Sequence, residues 1–194
     1  MKLINSLNFN ECIGCSTLLY GETDTKKTSF TAKFVQYLLE SNFDPQEISI
    51  LDFAPKLTFF KNLKIGGRIQ EYYNESIKCR NLIIKRKIIP PRLKAKNKSE
   101  LYKNLCYNYE ITSKILDDFN NNPTNILIIN DISIYLHLGS KRYILQTISK
   151  VNTFFGNSYY GTSIKSKFST LLSINEKKKV DFLIKNIDNS YFTG

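Results

Sequence analysis

The chain has 194 residues, of which 42% are hydrophobic and 13% aromatic, and it carries a formal net charge of +11. This length suits one domain with its own core, and the hydrophobic fraction excludes wholesale disorder. The sequence has no signal-peptide pattern at its N-terminus and no apolar run long enough to span a membrane. We therefore expect a single domain over residues 1–194, located in the cytoplasm, with no membrane partner.

Predicted strands and helices alternate along the chain. In the first half the pattern predicts, in order, a strand over 16–20, a helix over 28–39, a strand over 47–53, a helix over 69–79 and a third strand within 81–89 that ends at a non-helical Pro90-Pro91-Arg92. In the second half it predicts a helix from the cap Ser99 to Phe119, a strand over 126–129, a helix over 140–151, a strand over 152–160, a helix opened by a capping box at Ser173 and Glu176, and a strand over 189–193. Alternating helices and continuously apolar strands favour an α/β fold with a mainly parallel sheet and helices on both faces.

The turn after the first strand has the spacing of a phosphate-binding loop. The pattern is Gly, four free positions, Gly, Lys, then Ser or Thr, between a strand and a helix. Gly21 opens it here, Lys27 is the lysine and Thr28 the hydroxyl, while Lys26 stands where the second glycine is expected. Backbone N–H groups of such a loop cradle phosphate oxygens. The predicted nucleotide-binding residues are Gly21, Glu22, Thr23, Asp24, Thr25, Lys26, Lys27, Thr28 and Ser29.

Polar residues also follow the other predicted strands. Asp52 ends the second, Arg92 follows the third, Asp131 ends the fourth, and Asn157-Ser158 ends the fifth. Ligands of open parallel sheets bind beyond the carboxyl ends of the strands. We therefore expect these residues to lie at one edge of the sheet, together with the loop.

Ile126-Leu-Ile-Ile-Asn-Asp131 is similar to the second signature of P-loop NTPases, a hydrophobic strand that ends in an acid. With the loop at 21–28, the chain resembles that superfamily. The resemblance implies a three-layer P-loop sandwich, ATP and Mg²⁺ as cofactors, Lys27 and Asp131 as catalytic residues, and Thr28, Asp52 and Asp131 as metal ligands. RecA-like ATPases are one matching subgroup, in which Asn157 would sense the terminal phosphate. Dethiobiotin-synthetase-type ATPases are the other, in which Asp52 belongs to the metal site.

Two further groups of residues allow other interpretations. A basic cluster, formed by Lys85, Arg86, Lys87, Arg92, Lys94, Lys96 and Lys98, is either a solvated face or a contact for nucleic acid. Cys12 and Cys15 have metal-site spacing without a second pair, so reduced structural thiols are expected. His137 is expected to pack without a chemical role.

The leading hypothesis is a nucleotide-binding protein for Mg-ATP, with slow hydrolysis, that acts near nucleic acid; a kinase or ligase that transfers phosphate to a small molecule fits equally well. One alternative is a catalytically inactive P-loop scaffold, since Lys26 replaces a glycine. Another is a basic nucleic-acid-binding module. An oligomer or a protein partner is compatible with each.

Overall fold

The computed structural model describes residues 2–60, 63–83, 85–164 and 169–194. The strands in these ranges are β1 (Lys2–Leu3), β2 (Ser16–Gly21), β3 (Ile48–Asp52), β4 (Thr58–Phe60), β5 (Leu63–Ile65), β6 (Arg80–Leu82), β7 (Ile126–Asn130), β8 (Thr153–Tyr159) and β9 (Asn189–Phe192). The α-helices are α1 (Lys27–Glu40), α2 (Ile69–Tyr72), α3 (Pro91–Lys94), α4 (Lys98–Asn121), α5 (Ile132–Leu136), α6 (Lys141–Ile148) and α7 (Thr170–Ile184).

Seven strands form one sheet in the order β1-β9-β2-β8-β7-β3-β6. Each neighbouring pair in this sheet is parallel. Strands β4 and β5 form a separate antiparallel pair. The predicted α/β fold with a parallel sheet is therefore confirmed.

Two hydrophobic clusters cover the two faces of this sheet. Along β7, Leu127 and Ile129 belong to one cluster, and Ile126 and Ile128 belong to the other. The first cluster includes residues of α4, α5, α6 and α7, and the second includes residues of α1. This alternation follows from the period of two in a strand, and it makes the fold a three-layer sandwich.

Several predicted helix boundaries were wrong, because capping and packing decide them locally. Asn97, rather than Ser99, caps α4, and its side chain accepts a hydrogen bond from the backbone N–H of Glu100. Helix α7 begins at Thr170, so the residues of the predicted capping box, Ser173 and Glu176, lie inside it. Pro91 begins α3, since proline lacks only a donor that the first helical turn does not need.

Two other segments also differ from the sequence prediction. The helix predicted over 69–79 is α2 followed by a 3₁₀ helix, Asn74–Lys78. Helix α5 was not predicted, and it follows directly on the apolar strand β7. In the described ranges, no helix is both long and apolar enough to cross a membrane.

Candidate functional site: a phosphate loop and an adjoining cavity

The loop between β2 and α1 has the backbone that its sequence pattern requires, although a lysine replaces a glycine. Lys26 caps α1 with φ 62° and ψ 13°, in the left-handed region. Side chains with a Cβ adopt this region at a cost of about 1–2 kcal/mol, which is why glycine is favoured there. Lys26 therefore keeps the loop conformation and carries the strain that glycine would avoid.

The end of β9 packs against the start of this loop. The backbone N–H of Glu22 donates to the carbonyl oxygen of Gly194 at 2.6 Å, and the hydroxyls of Thr25 and Thr193 lie 2.6 Å apart. A Cβ added at Gly21 would lie 2.6 Å from the Gly194 oxygen. Glycine at position 21 is thus required by this close approach.

Lys27 is folded into the loop and is only 9% exposed. Its Nζ donates to the carbonyl oxygen of Gly21 at 3.0 Å, to Thr25 Oγ1 at 3.1 Å and to the carbonyl oxygen of Glu22. Burial lowers the pKa of Lys27 to about 8, against the smaller opposing effects of Asp131, Glu22 and Asp24. The loop therefore holds a desolvated cation on neutral oxygen atoms, an arrangement that an anionic ligand would improve.

Thr28, at the start of α1, contacts the end of β7 through Asn130. The Thr28 hydroxyl donates to Asn130 Oδ1 at 3.2 Å, and Asn157 Nδ2 donates to the same oxygen at 2.7 Å. Asn157 also donates to Thr31 Oγ1 at 2.8 Å, and its Oδ1 accepts from the Asp131 N–H at 3.1 Å. Amides from two neighbouring strands thus tie α1 to the sheet. Sequence reasoning missed Asn130, whose position at the end of a buried strand was the available signal.

Asp131 lies one residue beyond β7 and adopts a left-handed backbone, with φ 60° and ψ 62°. Its Oδ1 accepts a hydrogen bond from Ser133 Oγ at 2.5 Å. Burial raises the pKa of this carboxyl, while Ser133, His137 and Lys27 act in the opposite direction. A half-buried carboxylate that interacts electrostatically with the loop lysine, in a strained backbone, is typical of functional sites.

Asp52 has a different environment, because N–H groups already occupy its carboxylate oxygens. Oδ1 accepts from Asn130 Nδ2 at 2.8 Å and from the Ala54 N–H at 3.2 Å, and Oδ2 accepts from the Ile69 N–H at 2.7 Å. Burial raises the pKa of Asp52 to about 6. The carboxylate thereby joins the end of β3 to Asn130 and to the start of α2.

A cavity of about 340 Å³ opens beside the loop, at the carboxyl edge of the sheet. The cavity is lined by Asp131, which follows β7, by Asn157 of β8, and by loop residues and the start of α1: Thr23, Asp24, Lys26, Lys27, Thr28 and Ser29. Its other lining residues, which we call the far wall, are Ala54, Pro55, Lys64, Ile65, Gly66, Tyr72, Pro90, Pro91, Arg92, Leu93, Ser133, Ile134, His137, Tyr159 and Ile164. The predicted convergence of loop, Arg92, Asp131 and Asn157 at one edge therefore occurs. Gly21, Glu22, Thr25 and Asp52 support the site without lining the cavity.

Three buried polar residues meet at the far wall. Arg92 Nη2 donates to Glu176 Oε2, and His137 Nε2 lies 3.4 Å from Glu176 Oε1, too far for a well-formed hydrogen bond. Arg92 is 7% exposed, His137 6% and Glu176 3%. Burial would raise the pKa of Glu176, but His137 and Arg92 outweigh it and hold that pKa below its ordinary value. The sequence interpretation of His137 as an inert packing residue and of Glu176 as part of a capping box missed this cluster.

Glu22 fixes a segment that borders the cavity. Its carboxylate accepts hydrogen bonds from the backbone N–H groups of Thr162 and Ser163 and from the Ser163 hydroxyl. Burial would raise the pKa of Glu22, but these hydrogen bonds prevail and lower it. The next residue, Ile164, belongs to the far wall. Glu22 thus acts on the cavity through the segment 162–164.

The basic cluster divides into exposed and buried members. Lys85, Arg86, Lys87, Lys96 and Lys98 are exposed, and Arg86 pairs with Glu110 at 3.0 Å. Arg92 is instead buried in its pair with Glu176, so it is not part of an exposed basic face. The side chain of Lys94 lies outside the described part of the structure.

The four cysteines are free. Among the described residues, no group of three or more His, Cys, Asp or Glu side chains is placed to hold a metal ion.

No protein-family model matches this sequence, and neither does any curated protein. Among solved structures, the chain is similar to the flagellar accessory protein FlaH from Methanocaldococcus jannaschii, with 9% identity and a TM-score of 0.41 over 84% of this chain and 68% of FlaH. It is also similar to Drosophila ORC in a complex with GC-rich DNA and Cdc6, with 14% identity and a TM-score of 0.30 over 95% of this chain and half of that one. Both likenesses are distant. The chain's own parallel sheet and helix order define a three-layer α/β fold.

Proposed function

We propose that this protein binds a nucleoside triphosphate, with ATP as the expected ligand, at the loop formed by residues 21–29. The observation that carries the proposal is the burial of the Lys27 side chain and its hydrogen bonds to the loop. A buried ammonium, held on loop carbonyl oxygens at the edge of an open cavity, is a cation prepared for an anion. Phosphate oxygens would replace neutral oxygen atoms with charged ones, and charge-assisted hydrogen bonds are about twice as strong.

The donor set beside Lys27 suits Mg²⁺. The Thr28 hydroxyl and the Asp131 carboxylate are oxygen ligands, which is the chemistry that this ion prefers, whereas Asn130 Oδ1 already accepts hydrogen bonds from Thr28 and Asn157. Mg²⁺ commonly takes one or two carboxylates, with substrate phosphates and water as its other ligands. Bound there, the ion would neutralise charge on the phosphates. We leave Asp52 out of this set because N–H donors occupy its carboxylate oxygens.

The strand order favours the RecA-like interpretation within this class. Strand β8 lies between β2, which precedes the loop, and β7, which precedes Asp131. Asn157 of β8 therefore lies between the loop and Asp131. Asn157 at that position can contact the terminal phosphate. A shift of its side chain would then move Asp131, because Asn157 Oδ1 accepts a hydrogen bond from the Asp131 N–H. Asn157 is therefore the sensor in this proposal.

Turnover is expected to be slow. The residue that meets the Thr28 hydroxyl is the neutral Asn130, so the proposed metal site has one carboxylate, that of Asp131. The strained Lys26 adds a bulky side chain where the backbone should approach phosphate closely. In this proposal Lys27 and Asp131 have the catalytic roles, Lys27 on the phosphates and Asp131 at the metal.

Titration calorimetry with ATP and GTP, with and without Mg²⁺, tests the proposal. Lys27→Ala should weaken binding roughly 100-fold, since hydrogen bonds to charged groups contribute about 1.5–3 kcal/mol each. Lys33→Ala is the matched control, because Lys33 is an exposed lysine on the same helix. Equal affinities of the two variants, or no binding by the unmodified protein, would contradict the proposal.

A second function, the binding of nucleic acid, is favoured by the exposure of Lys85, Lys87, Lys96 and Lys98. Each phosphate contact releases counterions, so affinity should fall steeply as the salt concentration rises. Replacing these four lysines by glutamine should reduce both the affinity for a DNA or RNA duplex and the slope of its salt dependence. An unchanged slope would remove this cluster as the contact.

A further inference from the structure

The far wall of the cavity has features that binding of a triphosphate does not require. Most of its residues are apolar or aromatic, including Ile65, Tyr72, Leu93 and Ile134. A volume of about 340 Å³ lies in the range of small-molecule pockets. Such pockets are mostly apolar, with a small number of polar groups that fix the orientation of the ligand.

Arg92 supplies such a polar group. It is 7% exposed and lines the cavity, and its one hydrogen bond to a described residue uses Nη2. Its Nε is buried and has no hydrogen-bond partner in the same ranges. Buried polar groups without partners are rare, and each requires an explanation such as an ordered water, an ion or a catalytic role.

The surroundings of Arg92 fix the guanidinium. Glu176 bonds to one side of the group, and the ring of Tyr159 lies 5.6 Å from its Cζ. His137, next to Glu176, lines the same cavity and has an unpartnered Nδ1 among the described residues. A planar guanidinium that is held in this way can bind a carboxylate or a phosphate through its remaining N–H groups.

We propose that the far wall binds a small organic anion with an apolar body, and that Arg92 takes the anionic group while Ile65, Tyr72 and Ile134 contact the body. The Lys27 loop and the far wall share one cavity, so this ligand would lie beside the terminal phosphate of the nucleotide. Only that relative placement rests on the proposed function. The binding of the anion itself does not.

Three probes that share one benzene ring test the site: phenyl phosphate, benzoate and the uncharged benzyl alcohol. We expect at least one of the two anions to bind at least about tenfold more tightly than the alcohol, since hydrogen bonds to charged groups contribute about 1.5–3 kcal/mol. The preferred anion then identifies the group that Arg92 recognises. If the alcohol binds as tightly as both anions, or if none of the three binds, the proposal is overturned.

Paired variants separate the far wall from the phosphate loop. Arg92→Met with Glu176→Gln removes both charges of the buried pair together, so that no single buried charge is left without its partner. This double variant should lose at least about tenfold of the anion affinity, while the affinity for benzyl alcohol stays within about twofold. Circular dichroism and the midpoint of thermal unfolding show whether it is folded. If the double variant does not fold, Arg92→Lys replaces it. This variant retains the positive charge but loses the planar guanidinium, so its affinity for the anionic probe should fall at least about tenfold.

Lys27→Ala is the decisive comparison. Anion binding that persists in this variant and is lost in the far-wall variant supports the proposal, even when the protein shows no affinity for ATP. Anion binding that is lost in Lys27→Ala and retained in the far-wall variant would mean that the probe occupies the phosphate loop, which overturns the proposal. The two sites can therefore fail independently of each other.

Discussion

The two sides of the cavity are built in opposite ways. The loop side comes from one continuous segment, residues 21–29, whose strand–loop–helix geometry holds Lys27 on its own carbonyl oxygens. At the far wall, Arg92 from α3 and His137 from the end of α5 meet Glu176, which comes from α7. The loop side thus depends on local backbone conformation, whereas this buried cluster depends on residues that are distant in sequence. Loop variants should therefore change nucleotide affinity, whereas a variant that leaves one member of the buried pair without its partner should also lower stability.

Breaking the buried ion pair of Arg92 and Glu176 should have the largest effect on the free energy of unfolding. Glu176→Ala leaves the Arg92 guanidinium buried without its partner, and we expect a loss of about 3–5 kcal/mol in the free energy of unfolding. Glu110→Ala, which breaks the exposed pair with Arg86, should cost less than about 1 kcal/mol. Denaturant unfolding measures both variants. Similar losses in the two would show that the far wall does not hold the three helices together.

The pH dependence of nucleotide affinity tests the loop side. The pKa of Lys27 is about 8 without ligand, so the ammonium is charged below that pH and neutral above it. Phosphate raises this pKa again, and binding above pH 8 must therefore take up a proton. Between about pH 7, where a terminal phosphate is already ionised, and pH 8 the affinity should be nearly flat, and above pH 8 it should fall by at most about tenfold per pH unit, because a shift of one pKa unit is worth about 1.4 kcal/mol.

Calorimetry in two buffers of different ionisation enthalpy measures this proton uptake directly. At pH 9 the apparent binding enthalpy should depend on the buffer, and at pH 7.2, above the pKa of about 6 of a terminal phosphate, this dependence should be much smaller. Lys33→Ala should behave like the unmodified protein, because Lys33 is exposed on the same helix. If no proton is taken up at pH 9, then Lys27 is not the group that meets the phosphates.

The smallest effect is expected from relief of strain at Lys26. Lys26→Gly should raise the free energy of unfolding by about 1 kcal/mol, the cost of the left-handed region less the entropy that glycine adds to the unfolded chain. Asn42→Gly is the control, since Asn42 has φ 62° outside the loop and asparagine tolerates this region. Lys26→Gly should also speed any ATP hydrolysis. A variant that is no more stable than the Asn42 control would show that the loop relaxes around Lys26 without strain.

The loop and the parallel sheet were predictable because both depend on residues that are close in sequence. A buried strand, a glycine and a Lys-Thr pair at fixed spacing specify a local turn, and apolar strands alternating with helices specify the sheet. Asp131 was recognised for the same reason, since it directly follows the apolar run of β7. Helix boundaries were less predictable, because a single side chain such as Asn97 decides where a helix begins.

The sequence by itself determined the α/β class, the strand–loop–helix order at residues 16–40 and the edge of the sheet at which the polar residues gather. Only the tertiary structure decided that Asn130 meets the Thr28 hydroxyl, that β8 lies between β2 and β7, and that Arg92 is buried against Glu176. Periodicity shows which face of an element is buried, but it does not show which distant element covers that face. Arg92 looks like any other member of a basic cluster until the fold buries its side chain and places Glu176 of α7 beside it.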